Sequence, residues 1–274
     1  MMLKTWLRLG SGNTGQVLPV FRGSGQVYLM HHSGARAGQT ALDLGTGCGN
    51  LALAAACRGA NVIAADIDDR ALALAEENAR ANGLQSKVQF VFSDWFSELS
   101  GKRFDLLVSN PPFVPMPAGC SHVTHSYGGA DGLRCVRSIL SEAPNYLARC
   151  GRLQMLLLSV GTRDLPKALG DVAGFARARN AAVRLVRLYH EPLELRLLVD
   201  AYKAAAGWSD WRDTLLSEGH THLHYFVVDA VCERGYSIRW LPATSTMAGR
   251  YWLNWEHWRS RFVWNGAIPF QRGC

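Results

Sequence analysis

The sequence predicts one α/β domain built on a mixed, mostly parallel sheet of seven strands. Two observations predict it. From Thr40 onward, short apolar runs alternate with longer amphipathic stretches, which is the pattern of repeated strand–helix–strand units. The run RLQMLLLS at 152–159 is almost continuously apolar, as in a strand buried on both faces of a parallel sheet. A chain of 274 residues is long enough for one such domain with an elaborated end.

The individual elements follow from apolar periodicity and from the glycine and asparagine residues that end each run. Predicted strands are 40–44, 61–66, 87–92, 104–109, 152–159, 181–189 and 222–231. We expect the last to pair with YSIRWL (236–241), as a hairpin or as paired strands. Predicted helices are 51–57, 68–81, 131–149 and 163–178, with a helical stretch near 193–217.

Composition narrows the classes of protein that the chain can belong to. The net charge is +7, but the arginines are scattered from Arg8 to Arg272 without a basic block, which favours a solvated surface over a nucleic-acid site. The chain has no apolar run of about 18 residues and no secretory signal, so we expect neither a membrane span nor export. Seven cysteines without disulfide-framework spacing indicate a reduced, cytoplasmic setting.

A glycine-rich turn follows the first predicted strand, in the segment ALDLGTGCGN (41–50). Glycines let the backbone turn sharply against a ligand, and the helix that begins there presents its N-terminal amides to an electron-rich group. The next strand ends at Asp66, where a carboxylate can accept hydrogen bonds from both hydroxyls of a ribose. A dinucleotide fingerprint fails, because Asn50 stands where its third glycine or alanine belongs.

Four segments in this order, DLGTGCG, ADID, SDW and SNPPF, resemble class I methyltransferases. The resemblance implies a Rossmann-like fold and S-adenosylmethionine as the cofactor. It also implies that the glycine-rich turn holds the amino-acid part of that cofactor, the acidic residue its ribose and the SDW segment its adenine. The cofactor-binding residues implied in this way are Asp43, Gly45, Gly47, Gly49, Asp66, Ile67, Asp94, Trp95 and Asn110.

The turn Asn110-Pro111-Pro112-Phe113 follows the fourth predicted strand, at the edge where open α/β sheets bind ligands. The Asn110 side-chain carbonyl and the Pro111 backbone carbonyl can accept the N–H groups of a planar nitrogen and present its lone pair to the methyl group. The prolines stiffen the turn, and Phe113 offers a face for stacking. Together with GGADGL at 128–133, the tetrapeptide resembles the release-factor glutamine methyltransferase branch.

Several assignments outside these motifs remain open. His122, His125 and Tyr127 are candidates for substrate contact or for proton removal, and we predict no metal site for them or for Cys120. The histidines at 220, 222 and 224 fit one polar strand face better than a metal cluster. In the methyltransferase branches that the chain resembles, the residues before the first strand close over the cofactor. The resemblance therefore makes Phe21, Arg22 and Ser24 candidates for covering the cofactor here.

These observations predict three regions and one activity. Residues 1–39 are expected to cover the cofactor, 40–241 to form the core with a helical insertion near 193–217, and the aromatic-rich 242–274 to pack on that core. We predict methyl transfer to an amide, amine or ring nitrogen of a small molecule or peptide, because the aromatic tail suits an enclosed apolar or planar ligand. The alternatives are methylation of an RNA or DNA base and a non-catalytic module that binds S-adenosylmethionine.

Overall fold

The strands come in the predicted alternation with helices. A computed structural model describes residues 24–118, 126–189, 191–196 and 207–241. The strands are β1 (Thr40–Leu44), β2 (Asn61–Asp66), β3 (Val88–Phe92), β4 (Phe104–Ser109), β5 (Leu147–Gly161), β6 (Ala182–Arg187), β7 (Leu193–Glu194), β8 (His222–Val231) and β9 (Ser237–Leu241). The main helices are α1 (Ser24–His31), α2 (Asn50–Ala56), α3 (Asp69–Ala81), α4 (Arg134–Tyr146), α5 (Leu169–Ala178) and α6 (Trp208–Ser217).

Within the described residues these strands form one sheet in the order β3-β2-β1-β4-β5-β8-β6-β9, with β7 paired to β8. The first five strands in that order are parallel, so their carboxyl ends meet at one edge of the sheet. Strand β8 runs antiparallel to both of its main neighbours, β5 and β6. The predicted fold class, a mixed and mostly parallel α/β sheet, is confirmed.

The predicted pairing of 222–231 with 236–241 is wrong. Strand β9 pairs in parallel with β6, which lies between β8 and β9. The connecting residues cross the start of β6, where Glu233 and Arg234 donate backbone hydrogen bonds to the carbonyls of Arg179 and Asn180 (both 3.1 Å). Because these long-range bonds hold the connecting residues across the start of β6, β9 lies on the far side of β6 from β8. The two strands are therefore adjacent in sequence but not in the sheet.

Other boundaries shift as well. The described sheet has nine strands against the predicted seven: β7 lies in the stretch expected to be helical, and β9 lies in the segment 236–241, which joins the sheet beside β6. Residues 147–149 belong to β5 instead of the predicted helix 131–149, since Leu147 pairs with Phe104 across a bulge in the ladder. Helix α5 begins at Leu169, six residues later than predicted, after a turn closed by a Thr162–Leu165 backbone bond. In the predicted helical stretch near 193–217, Leu193–Glu194 is a strand and Trp208–Ser217 is helical.

Apolar residues cover both faces of the sheet, as the hydrophobic pattern requires. On one face α4 and α5 pack against the largest core cluster, which includes Leu42, Leu107 and Leu157. On the other face α1, α2, α3 and α6 pack over three smaller clusters. Among the described residues there is no helix with the length and apolar character needed to cross a membrane. The carboxyl-terminal edge of the parallel strands, where the motif segments lie, is therefore placed between two helical layers.

Candidate cofactor and acceptor site

The two motif-bearing turns leave the sheet side by side. Strands β1 and β4 are parallel neighbours, and their last residues, Leu44 and Ser109, are register partners. The fully buried Ser109 hydroxyl donates a 2.7 Å hydrogen bond to the Leu44 carbonyl. This bond ties the glycine-rich turn after β1 to the NPPF turn after β4, and it was not predicted from the sequence.

The glycine-rich turn has the conformation that its residues predict. The backbone N–H groups of Gly45 and Thr46 both donate to the Ala65 carbonyl at 2.9 Å, which folds the turn over the end of β2. Gly45 and Gly47 have left-handed φ angles of 72° and 54°, and a Cβ atom on either would meet only open space. Gly49 differs, because its Cβ would lie 3.1 Å from the Ala75 side chain of α3. The first two glycines therefore leave room for a ligand, whereas the third allows close helix packing.

Asp43 supports this turn from below. Its Oδ2 accepts hydrogen bonds from the Thr46 hydroxyl (2.7 Å) and from the Ala52 backbone N–H (2.8 Å), which joins β1 to α2. The residue is fully buried, and Oδ1 has no hydrogen-bond partner among the described residues. Burial raises the pKa of Asp43 to about 7, although the bonds from Thr46 and Ala52 act to lower it. The carboxyl thus holds the turn and is shielded from solvent.

Asp66 lies at the end of β2 and faces the same turn. Its Oδ2 accepts from the Gly47 backbone N–H (2.7 Å) and its Oδ1 from the Asp68 backbone N–H (3.0 Å). Burial raises the pKa of Asp66, and these backbone bonds oppose the shift. Each carboxylate oxygen keeps a further lone pair for a ligand hydroxyl. The next residue, Ile67, has an apolar side chain that is 59% exposed.

The predicted adenine segment divides between exposed and buried side chains. Asp94 is exposed, whereas Trp95 is half-buried, packs against the main core cluster and has a φ of 50°. The buried Ser93 hydroxyl organises this loop by donating to the Trp95 carbonyl (2.9 Å) and accepting from the Glu98 N–H (3.2 Å). Asp94 is therefore the member of the pair with an accessible side chain.

Helix α1 approaches the glycine-rich turn through a polar contact. The Asn50 side chain, at the first residue of α2, donates to Gln26 Oε1 at 3.2 Å. Both residues are buried, and Asn50 Oδ1 has no partner in the described part of the chain. Asn50, which stands in place of the third glycine of the dinucleotide fingerprint, thus connects the glycine-rich turn to α1.

The NPPF turn presents an acceptor and an aromatic ring. Asn110 Oδ1 is buried and, among the described residues, has no hydrogen-bond partner. Pro111 is buried and Pro112 is half-buried. The half-buried Phe113 packs against Tyr225 of β8, with ring centroids 6.0 Å apart, and Tyr225 in turn packs against Tyr189 at 5.6 Å. An aromatic row therefore continues from the turn along the sheet edge.

The segment 126–132 lies directly against this turn. Val114 donates to the Ser126 carbonyl (2.9 Å), and Gly128 donates back to the Val114 carbonyl (2.9 Å). A Cβ on Gly128 would lie 2.7 Å from the Phe113 backbone, and one on Gly132 would lie 2.6 Å from the Phe113 carbonyl oxygen. Gly128 and Gly132 of GGADGL are needed because their backbone touches that of Phe113.

The remaining candidates are only partly described. The Tyr127 ring is half-buried beneath the Arg134 guanidinium, which lies 5.2 Å from its centroid. His222 and His224 bond to the Thr221 hydroxyl and the Thr162 carbonyl, respectively, both at 2.8 Å. His122, His125, Cys120, Phe21 and Arg22 lie outside the described residues, as do the side chain of Ser24 and the tail 242–274.

Comparison with known proteins identifies the family. The family model described as "Methyltransferase small domain" matches residues 23–178, which is more than half of the chain. The chain belongs to the methyltransferase small domain family. The match includes the glycine-rich turn, the end of β2, the NPPF turn and segment 126–132.

Curated relatives of the chain carry names of protein methyltransferases. The release factor glutamine methyltransferase of Xylella fastidiosa is 42% identical over 125 residues, covering 41% of this chain and 44% of that protein. The ribosomal protein uL3 glutamine methyltransferase of Francisella tularensis is 36% identical over 131 residues, covering 44% and 40%. A Methanocaldococcus jannaschii protein, provisionally named a protein N5-glutamine methyltransferase, is 35% identical over 168 residues, covering 59% and 80%. The chain thus spans less than half the length of the first two of these relatives.

Among solved structures, the YcgJ protein from Bacillus subtilis superposes with a TM-score of 0.50 at 15% identity, covering 77% of this chain and 99% of that one. This likeness supports the Rossmann-like methyltransferase fold. Membership of the methyltransferase small domain family makes S-adenosylmethionine the cofactor of the domain. The open positions at Gly45 and Gly47 and the exposed apolar surface of Ile67 fit such a ligand.

Some functional neighbours were not identified from the sequence. Gln26, Tyr225 and Trp211 contact motif residues but lie outside the motifs, and Ser109, the first residue of SNPPF, was not singled out as a site residue. Asn50 was noted only as a departure from another fingerprint. The available signal was weak in each case, because single polar or aromatic residues at these spacings are common in packed cores.

Proposed function

We propose that this chain transfers the methyl group of S-adenosylmethionine to the side-chain amide nitrogen of a glutamine in a protein. The observation that carries the proposal is the buried Oδ1 of Asn110, at the turn beside the glycine-rich loop, which has no hydrogen-bond partner within the described part of the chain. An unsatisfied buried acceptor costs roughly 1–3 kcal/mol, so its retention suits an N–H donor that arrives with the substrate. Of the two predicted acceptor classes, a small molecule or a peptide, the names of the relatives favour the polypeptide, and within it a glutamine of a protein.

On the cofactor side, the chain would bind through the turn after β1 and the end of β2. We assign Gly45 and Gly47 to the amino-acid part, Asp66 to the ribose hydroxyls, and Ile67 with Asp94 to the adenine. These are the roles that the resemblance to class I methyltransferases implies, and the open space at the two glycines and the exposed side chains of Ile67 and Asp94 support them. Asp43, Gly49 and Trp95 then serve mainly to hold the cradle, because their side chains or backbones pack against protein.

On the acceptor side, Asn110 Oδ1 and the Pro111 carbonyl would each accept one N–H of the substrate amide. Held in this way, the amide nitrogen can direct its lone pair at the methyl group. Bound S-adenosylmethionine would supply an electrophilic methyl group on a sulfonium, whose sulfur would leave with the bonding electron pair. The transfer would form one N–C bond, break one C–S bond and release one N–H proton to solvent. Asn110 also stabilises the positive charge that develops on the nitrogen.

The test is to follow the methyl group. The full chain is incubated with methyl-labelled S-adenosylmethionine and a cell extract, and label is counted in protein, RNA, DNA and small-molecule fractions. We expect label in protein, with mass spectrometry locating one added methyl on a glutamine side chain. Purified release factor and ribosomal protein uL3 serve as defined substrates, and excess S-adenosylhomocysteine should suppress transfer. Label confined to RNA, DNA or small molecules would overturn the proposal.

A further inference from the structure

Helix α6 and its neighbours pack over the NPPF turn. Its buried residues Trp208, Trp211 and Leu215 form a hydrophobic cluster with Val114 and Met116, which directly follow the turn. The half-buried Phe113 and Tyr127 pack against the same cluster. A region expected to be a helical insertion is thus in contact with the residues proposed to hold the acceptor.

One hydrogen bond connects α6 to the backbone beside that turn. The Trp211 indole N–H donates to the Ala130 carbonyl at 2.8 Å, and the two residues are 81 positions apart in sequence. Ala130 is the third residue of the GGADGL segment. Its carbonyl is therefore held by a group that comes from a distant part of the chain.

The segment containing Ala130 is in direct contact with Phe113. On one side of Ala130, Gly128 lies so close that a Cβ there would be 2.7 Å from the Phe113 backbone. On the other side, a Cβ on Gly132 would be 2.6 Å from the Phe113 carbonyl oxygen. Gly129 accepts a backbone bond from Met116 (3.1 Å). Because these contacts are backbone against backbone, a shift of Ala130 displaces Phe113, three residues from Asn110.

The same segment is anchored independently on its other flank. Asp131 accepts from the Arg137 guanidinium at 2.8 Å and from the Leu133 N–H at 3.1 Å, and Lys167 lies 3.4 Å away. These bonds keep the segment joined to α4 when the Trp211 bond is removed. Loss of the indole bond should therefore loosen the segment without unfolding it.

We propose that Trp211 is a positioning residue that sets the acceptor geometry of the NPPF turn through Ala130 and Phe113. The inference rests on the proposed function, because it assumes that Asn110 and Pro111 hold the acceptor. Trp211 itself does not contact the substrate. Its indole N–H fixes the segment against which the turn is packed, and the catalytic geometry depends on that contact.

Helix α6 provides a matched control for the test. Trp208 lies on the same helix and in the same cluster, and it packs edge-on against Trp211 with centroids 5.2 Å apart. Trp211→Phe removes the donor to Ala130 and keeps an aromatic ring. Trp208→Phe makes the same chemical change without touching that bond. Both variants should lose some thermal stability, so a purely structural role of α6 predicts equal effects on turnover.

Two measurements on the full chain decide between these outcomes. We expect Trp211→Phe to lower kcat on purified release factor about tenfold, with the Kd for S-adenosylmethionine unchanged and Trp208→Phe close to wild type in both. Amide hydrogen exchange should quicken roughly two- to tenfold at Met116 and Gly128 in Trp211→Phe, while Gly47 at the cofactor turn keeps its rate.

An equal loss of kcat in both variants would overturn the proposal, as would unchanged exchange at Met116 and Gly128. If the wild-type chain methylated no protein at all, the proposed function would fail, and the exchange measurement alone would still decide whether Trp211 restrains the turn. The two failures are therefore distinguishable.

Discussion

The cofactor half and the acceptor half of the site hold their functional groups in different ways. In the cofactor half, Asp43 and Asp66 accept backbone N–H groups of the turn and of α2, all within 19 residues of the carboxylate concerned. In the acceptor half, the NPPF turn is held by close backbone packing and by residues more than 80 positions away, such as Trp211 and, through Phe113, Tyr225. Apart from the Ser109–Leu44 and Asn50–Gln26 bonds, the first half is held by contacts between residues close in sequence, whereas the second depends on residues far away in the chain.

The largest expected effect concerns the charge inside the cofactor half. Asp43 has a pKa of about 7 in the folded chain and 3.8 as its ordinary value. Between these pH values the folded protein holds a proton that the unfolded chain has lost, so stability falls as the pH rises and levels off above 7. Asp43→Asn removes this titration, and we expect its stability relative to wild type to rise across that window by on the order of 4 kcal/mol.

Urea unfolding of both proteins across this pH window measures that difference. Asp213→Asn, the same change at an exposed position of α6, controls for the general effect of replacing a carboxylate by an amide. If the stability of Asp43→Asn instead ran parallel to that of wild type across the window, the Asp43 carboxyl would be ionised throughout. The cofactor half would then not be supported by a buried, protonated carboxyl.

Sequence reasoning succeeded where structure is local. The strands β1, β2 and β4 were predicted with the bounds observed, and the motif segments lie at the carboxyl ends of neighbouring strands. It failed for β9, whose partner is chosen by bonds to residues 179–181, more than 50 positions earlier. Trp211 was missed for the same reason, because nothing near position 211 indicates that Ala130 will be its partner. Periodicity reports which face is buried, not what covers it.

The next effect belongs to the acceptor half. Asn110→Ala removes the side-chain carbonyl proposed to accept the substrate N–H, while the bonds that shape the cofactor turn remain in place. We expect turnover to fall roughly ten- to a thousandfold, with S-adenosylmethionine affinity near wild type. Single-turnover kinetics and calorimetry measure the two quantities separately. Unaltered turnover would make the NPPF turn a structural feature and leave the acceptor half without its catalytic group.

Asp66→Ala should have the converse effect. It removes the acceptor for the Gly47 and Asp68 backbone N–H groups as well as the proposed partner of the ribose hydroxyls. We expect S-adenosylmethionine to bind about 1.5–3 kcal/mol more weakly, with little change in hydrogen exchange at Met116 and Gly128 in the acceptor half. Calorimetry on the folded variant measures the affinity. If hydrogen exchange at Met116 and Gly128 also became faster, the two halves of the site would be coupled. The contrast drawn above between a cofactor half and an acceptor half would then be wrong.

The smallest expected effect isolates close packing in the acceptor half. Gly132 and Gly101 both have left-handed backbones, with φ angles of 79° and 74°, so alanine strains both equally. Their surroundings differ. A Cβ on Gly132 would lie 2.6 Å from the Phe113 oxygen and 2.7 Å from the Leu158 oxygen, whereas one on Gly101 would meet nothing within 4 Å.

The difference between Gly132→Ala and Gly101→Ala in unfolding free energy therefore reports the packing contact alone. We expect Gly132→Ala to be about 1–3 kcal/mol less stable than Gly101→Ala, the cost of overpacking against rigid neighbours. It should also lose turnover, because the added methyl pushes on Phe113. Denaturant unfolding together with methyl transfer measures both effects. Equal stabilities of Gly132→Ala and Gly101→Ala would mean that the backbone around residue 132 can move to accommodate the methyl group. In that case, close packing against this segment could not hold the acceptor turn in place.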